Sequence, residues 1–164
     1  MPFGFSITYR VGADWLAGCA LVEDWGCGLG WLRTLVPPGR YRGIDGSRSP
    51  FTDEIVDLAR YRSSVPGVFM RHVLEHNHAW RQVLDNALAS FTERMALILF
   101  TPMAEKTHER AFVVEIGVPD ISFRHEDLTD RYGSDIRWSS RDYLTQIGYG
   151  CERVYLLEKP ASAA

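Results

Sequence analysis

Three histidines and a glutamate crowd the stretch RHVLEHNH, in which His72, His76 and His78 surround Glu75. Histidine is the side chain whose ordinary pKa lets it take a proton near neutral pH, so this cluster is where a general base is sought. Upstream, VEDWGCGLGWL sets Gly26, Gly28 and Gly30 behind the acids Glu23 and Asp24. Glycines there permit positive φ, admit a ligand to bare backbone and, ahead of a helix, expose N–H groups. The dinucleotide fingerprint G-x-G-x-x-G needs a glycine where this chain has Trp31, which disfavours a nicotinamide dinucleotide. Asp45 closes YRGID seventeen residues past Gly28, and a carboxylate there can take both hydroxyls of a ribose.

Each of these residues also has a plainer reading. The glycines can form an unliganded turn, and an Asp before Gly commonly bonds its own backbone. Glu75 and His76 can cap or bond the backbone of a following helix. Arg71 at a strand end is as often half of an ion pair as a clamp for an anion. His78 suits an exposed helical face. Trp80, at helical spacing with Leu84 and Leu88, suits a core. His108 and the RHED stretch at 124–127 are weaker candidates, and Thr101 with Pro102 would help close a pocket floor.

The elements that would hold these residues alternate. YRVGADWLAGCA predicts a leading helix and ALVED a strand running into the glycines. LGWLRTLV predicts a helix stopped by Pro37 and Pro38. RYRGIDGS predicts a short strand, and SPFTDEI a helix capped by Ser49 with Pro50 in its first turn. IVDLARYRS fits a short helix followed by a strand, or a brief third strand ending at Asp57. GVFMRHV predicts a buried strand, EHNHAWRQVLDNALASF an amphipathic helix, and RMALILFTP a central parallel strand covered on both faces. SSRDYLTQIGYG predicts a helix closed by Gly148, and CERVYLLEKP a last strand. The expected fold is α/β: a doubly wound, mostly parallel sheet with helices on both faces, in one domain spanning 1–164.

Taken in order, VEDWGCGLG, YRGIDGS and FMRHVLEH resemble the class I S-adenosylmethionine-dependent methyltransferases, with their acid-x-G-x-G-x-G loop, ribose acid and H-V-L-E-H strand end. The resemblance runs over about 20–102 and, more weakly, through YLTQIGYGCERVYLLEKP. It implies S-adenosyl-L-methionine as cofactor, with Asp24 and the Gly26, Cys27, Gly28 and Gly30 backbone at its methionine part. Asp45, with Gly46 and Ser47, would bind the ribose. Asp57 and Leu58 would flank the adenine, and Arg71 and His72 would face the cofactor. His72 and His76 are then the candidate bases for a hydroxyl acceptor on a small molecule or a glycan. No NPPY or DPPY stretch follows the strand ending in RHV, which argues against methylation of nucleobase amines.

Two departures from the family stand out. Only 27 residues separate Asp45 from His72, so the third strand and its helix must be abbreviated. The chain also leaves little for a seventh strand, for which VVEIGVPDISFRHEDL is the candidate substitute, out of the usual order. An open site would suit a bulky acceptor or completion by a second subunit. A non-catalytic subunit that binds a partner protein is the alternative reading.

Composition narrows the field. With 164 residues, 46% hydrophobic and 24% charged, the chain can bury a core without staples. A net charge of −3 with scattered basic residues disfavours nucleic acid as a partner. Cys19, Cys27 and Cys151 lack metal spacing or even number, so no metal is expected and a reducing cytoplasm fits. Neither a leader nor a membrane span is expected. No repeat appears, and only PASAA looks like a tail.

Overall fold

The computed structural model describes residues 6–160; the first five residues, and most of PASAA, lie outside the described residues. In chain order the strands are β1 Val22–Trp25, β2 Tyr41–Asp45, β3 Glu54–Ile55, β4 Val65–Arg71, β5 Phe91–Leu99, β6 His108–Val113, β7 Val118–Ser122, β8 Arg137–Leu144 and β9 Cys151–Glu158. Seven of them form one sheet in the order β3-β2-β1-β4-β5-β9-β8, and β6 and β7 pair as a separate hairpin. From β3 to β5 every pairing is parallel; β9 then runs antiparallel to both β5 and β8. The doubly wound α/β expectation therefore holds. Strand order reverses between β1 and β4, and the crevice beyond their carboxyl ends is where such sheets take ligands.

The central strands follow from their sequence. In β4 and β5, Val68, Met70, Met95, Leu97 and Leu99 join the core on one face, while Phe69, Ala96 and Ile98 join the core on the other. That alternation, with both faces covered, explains a continuous apolar run. Helix α2, Trp80–Ser90, supplies Trp80, Val83, Leu84, Ala87 and Leu88 to the first core. Helix α1, Ile7–Trp15, lays Tyr9 on the second, with Leu16 just beyond its end. Gly12 is what allows α1 to sit so close, because a Cβ there would collide with the Phe69 ring. Glu23, buried in β1, is satisfied by Trp25 Nε1 at 2.9 Å, Ser63 Oγ at 2.7 Å and Tyr61 Oη at 3.1 Å.

Several expectations need correction. LGWLRTLV forms only a single 3-10 turn, Trp31–Thr34, because too few residues separate Gly30 from Pro37 to repay helix nucleation. SPFTDEI makes no helix. Its polar side chains bond outward instead, Ser49 Oγ to Gly28 O at 3.0 Å and Asp53 Oδ2 from Gly43 N at 2.7 Å, leading into the two-residue β3. IVDLARYRS contributes the end of β3 and a turn closed by Arg60 N to Asp57 O at 2.9 Å, so the third strand is abbreviated but ends at Ile55 rather than Asp57. The helix expected from Glu75 starts at Trp80, with a 3-10 turn at Leu74–His76 before it.

SSRDYLTQIGYG is strand β8 rather than a helix. As an edge strand, exposed along nearly its whole length, it carries no period-two signal, and its charges guard the edge. Arg153 reaches across from β9 to Asp142 with two bonds, at 2.6 and 2.7 Å. The sheet therefore has all seven strands. VVEIGVPDISFRHEDL replaces none of them, supplying instead most of the β6–β7 turn, β7 and the short helix α3, His125–Thr129. No helix among the described residues is long and apolar enough to cross a membrane.

Candidate active site

The glycine loop leaves β1 directly into the crevice. Gly26, Gly28 and Gly30 have φ of 73°, 49° and 65°, the left-handed region that L side chains avoid. The loop is stitched to β2: Gly26 N bonds Ile44 O at 2.7 Å, and Gly28 N bonds Asp45 Oδ2 at 3.0 Å. With only the single 3-10 turn Trp31–Thr34 behind the loop, no α-helix N-terminus contributes. A cleft of about 410 Å³ opens against the loop, with Tyr9, Gly28, Ser47, Arg71 and His72 among its walls.

The acids around the loop have distinct states. Asp24 is buried and accepts from Tyr41 Oη at 3.0 Å, and burial pushes its carboxyl up to about 7. Asp45 accepts Ser47 N and Oγ on Oδ1, both at 2.9 Å, and Gly28 N on Oδ2. The turn reading of Asp45 is thus realised, yet a carboxylate has about four acceptor sites, leaving room for a ribose hydroxyl. Burial likewise drives the Cys27 thiol up to about 11, which makes it a protonated wall and not a nucleophile. Gly46 is exposed in the turn. Asp57 is exposed, with Oδ1 taken by Ala59 N at 3.0 Å, and the Leu58 side chain lies in the core; neither lines the cleft.

At the end of β4 the chain makes its most unusual choice. His72 has φ 58°, the one non-glycine residue in that region among the described residues, and such outliers cluster at functional sites. Its Nε2 lies 2.7 Å from Glu152 Oε1 on β9. The same oxygen accepts Arg71 Nε at 2.9 Å and Thr8 Oγ at 3.1 Å, while Oε2 accepts Ser6 Oγ at 2.6 Å. Burial works against the Glu152 charge, but the His72 hydrogen bond, the Arg71 guanidinium and Ser6 outweigh it and hold the carboxyl well below its ordinary range. Burial also lowers His72 to about 4, against the upward pull of the Glu152 hydrogen bond. A neutral ring beside an ionised carboxylate carries its proton on Nε2, leaving Nδ1 with the lone pair. Arg71, packed over the Tyr9 ring at 4.3 Å, is spent mainly on this network, as its ion-pair reading expects.

His72 also borders a second cavity of about 480 Å³, walled by His76, Phe100, Asp120, Ile147 and Tyr149. Phe100 is its centre: His72 lies 4.7 Å away, His76 5.3 Å, and Tyr149 stacks at 5.9 Å and 11°. His76 Nδ1 bonds Pro119 O at 2.9 Å and sits 3.3 Å from Asp120 Oδ1. Tyr149 Oη donates to the other Asp120 oxygen at 3.2 Å.

The remaining candidates scatter. Glu75 is fully buried, accepts Phe100 N at 2.6 Å and is pushed up to about 8 by burial, a structural role. His78 pairs with Glu109 on the surface at 2.8 Å, and Trp80 is in the core. His108 is exposed, Arg124 pairs with Glu126, and His125 meets Tyr155 Oη at 2.8 Å away from both cavities. Thr101 ties β5 to β7 through Ile121 O at 2.7 Å. Sequence reasoning missed Glu152, Phe100, Asp120 and Tyr149. Only Glu152 left a trace, an acid on the same strand face as the buried Val154.

No protein-family model and no curated relative matches the chain. Solved structures do. The chain is similar to the 1,6-didemethyltoxoflavin-N1-methyltransferase of Burkholderia thailandensis, whose structure holds S-adenosylhomocysteine: 14% identity, TM-score 0.70, 93% of this chain and 76% of that one. Magnesium protoporphyrin IX methyltransferase from Synechocystis, with bound S-adenosylmethionine, gives 18% identity, TM-score 0.68, and 93% and 78% coverage. An S-adenosylmethionine-dependent methyltransferase from Mesorhizobium loti gives 12% identity, TM-score 0.59, and 92% and 99% coverage. With its strand order, its antiparallel β9 and these likenesses together, the chain has the class I S-adenosylmethionine-dependent methyltransferase fold.

Proposed function

We propose that the protein is an S-adenosyl-L-methionine-dependent methyltransferase that methylates a hydroxyl of a small molecule, working in a reducing compartment such as the cytoplasm. The observation that carries this is the place of His72, which borders the glycine-loop cleft on one side and the Phe100 cavity on the other. The cleft suits the cofactor: its walls include the left-handed Gly26 and Gly28 and the Ser47 hydroxyl, while Asp45, outside the lining itself, is tied to the loop through Gly28 N, and Asp24 precedes the loop in β1. When bound, the cofactor supplies a methyl group activated on a sulfonium.

The chain's own residues do the rest. The walls of the second cavity position the acceptor and exclude water, which is most of what an in-line displacement requires. Glu152 holds the Nε2 proton of His72, so the Nδ1 lone pair is the group that takes the acceptor's proton. His76, with Nδ1 committed to Pro119, serves as a wall rather than the primary base.

Calorimetry with S-adenosylmethionine and S-adenosylhomocysteine tests the reading. Micromolar binding of both by folded protein is expected; absence of binding would overturn it.

A further inference from the structure

We propose that the Phe100 cavity binds a flat hydroxyarene without negative charge, and that the hydroxyl of this ligand is the methyl acceptor; this rests on the methyltransferase reading above. Shape comes first. The cavity is built around one aromatic ring, with Tyr149 nearly parallel to Phe100 and the imidazoles of His72 and His76 tilted against it. Ile147, Val113 and Ile116 complete walls that are largely apolar. A volume of about 480 Å³ holds a one- or two-ring ligand. A sugar would bury more hydroxyls than the few polar groups on these largely apolar walls can pair, at a cost of about 1–3 kcal/mol for each unmet group.

Charge comes second. Among the residues that line the cavity no lysine or arginine occurs, whereas Glu115 and Asp120 both do; the Arg110 guanidinium packs over the Tyr149 ring at 4.7 Å without joining the lining. Asp120 Oδ1 and His76 Nε2 are buried and make no hydrogen bond, His76 Nδ1 lying 3.3 Å from that oxygen. An entering ligand therefore gains by bringing N–H or O–H donors and loses by bringing a carboxylate or phosphate.

Proton demand comes third. In the step, the acceptor oxygen forms its bond to the methyl carbon as the carbon–sulfur bond breaks, and that electron pair stays on sulfur. The hydroxyl proton passes to His72 Nδ1. Burial makes this imidazole a weak base. A phenolic hydroxyl, with an ordinary pKa of about 10 for tyrosine, asks less of it than a sugar hydroxyl does.

The test uses the full chain loaded with S-adenosylhomocysteine and three probes: 4-hydroxyacetophenone, its anionic near-isostere 4-hydroxybenzoate, and methyl β-glucoside. Calorimetry is expected to show the neutral phenol binding about tenfold or more tightly than the benzoate, with no glucoside binding. Asp120→Asn should narrow that gap, and Tyr149→Ala, a change at an exposed residue, should weaken phenol binding. With labelled S-adenosylmethionine, 4-methoxyacetophenone should form. Equal or tighter binding of the benzoate, binding of the glucoside, or binding of none of the three would overturn the assignment. If S-adenosylhomocysteine fails to bind while the phenol still does, the methyltransferase reading falls and the hydroxyarene site stands.

Discussion

The two cavities that meet at His72 are built by opposite means. The glycine-loop cleft is made largely of backbone and comes from a local stretch, with β1, its loop and the end of β2 tied by Gly28 N to Asp45 and Gly26 N to Ile44 O. The Phe100 cavity is made of side chains from the ends of β4 and β5, the inserted β6–β7 hairpin and the turn before β9. A backbone cradle fits one constant ligand and tolerates little change. Side chains on an insertion can be exchanged without disturbing the sheet, which is how one fold serves many acceptors. On the proposed function the cofactor falls to the first cavity and selectivity to the second, and substitutions can separate them.

His72→Asn should have the largest effect and fall on the junction. Asparagine tolerates the left-handed backbone, so the variant removes the base without breaking the turn. Initial rates should drop by about 10²–10⁴, while calorimetry finds S-adenosylhomocysteine affinity within a few fold. In the unsubstituted protein at saturating cofactor, protonation of His72 should lower the rate only as pH drops through about 4, not through the ordinary 6.5. The stability sign agrees. Below 6.5 the unfolded chain takes the proton first, so this histidine's contribution grows as pH rises from about 4 to 6.5.

Glu152→Gln should damage both cavities together, because it leaves Arg71 buried beside an uncharged partner and frees His72 to turn. A loss of about 3–5 kcal/mol in urea unfolding is expected. A slower but fully stable variant would show that Glu152 serves orientation alone. Asp45→Ala should affect the cleft only, weakening S-adenosylhomocysteine by about 1–3 kcal/mol and leaving phenol binding unchanged. Gly28→Ala is the mildest. A Cβ there would meet only Gly26 O, at an ordinary contact distance of 3.9 Å, so the cost is the left-handed backbone, about 1–2 kcal/mol by thermal unfolding.

How much of this was legible follows the same divide. The loop, Asp45 and the β4 end lie in short motifs whose spacing reports their geometry, and the central strands carry continuous apolar runs. The sequence of β8 suggests a helix because an edge strand exposed along nearly its whole length has no burial pattern to print on its residues. The helix expected after Gly30 shrank to one turn because Pro37 arrives first. The Phe100 cavity leaves no trace in the sequence for a different reason. Phe100, Asp120 and Tyr149 are brought together by the hairpin and the β8–β9 turn, and no local period relates them.

The Glu152 network also has a temporal meaning. Its carboxylate joins Ser6 and Thr8, near the start of the described chain, to Arg71 and His72 at the middle and to β9, the last strand of the sheet to be synthesised. Before β9 threads between β5 and β8, Arg71 has no counter-charge and the imidazole has no anchor. On the proposed function, the base is therefore positioned only once the final strand is in place, so a chain lacking β9 is expected to lack methyl transfer even where its glycine loop is present.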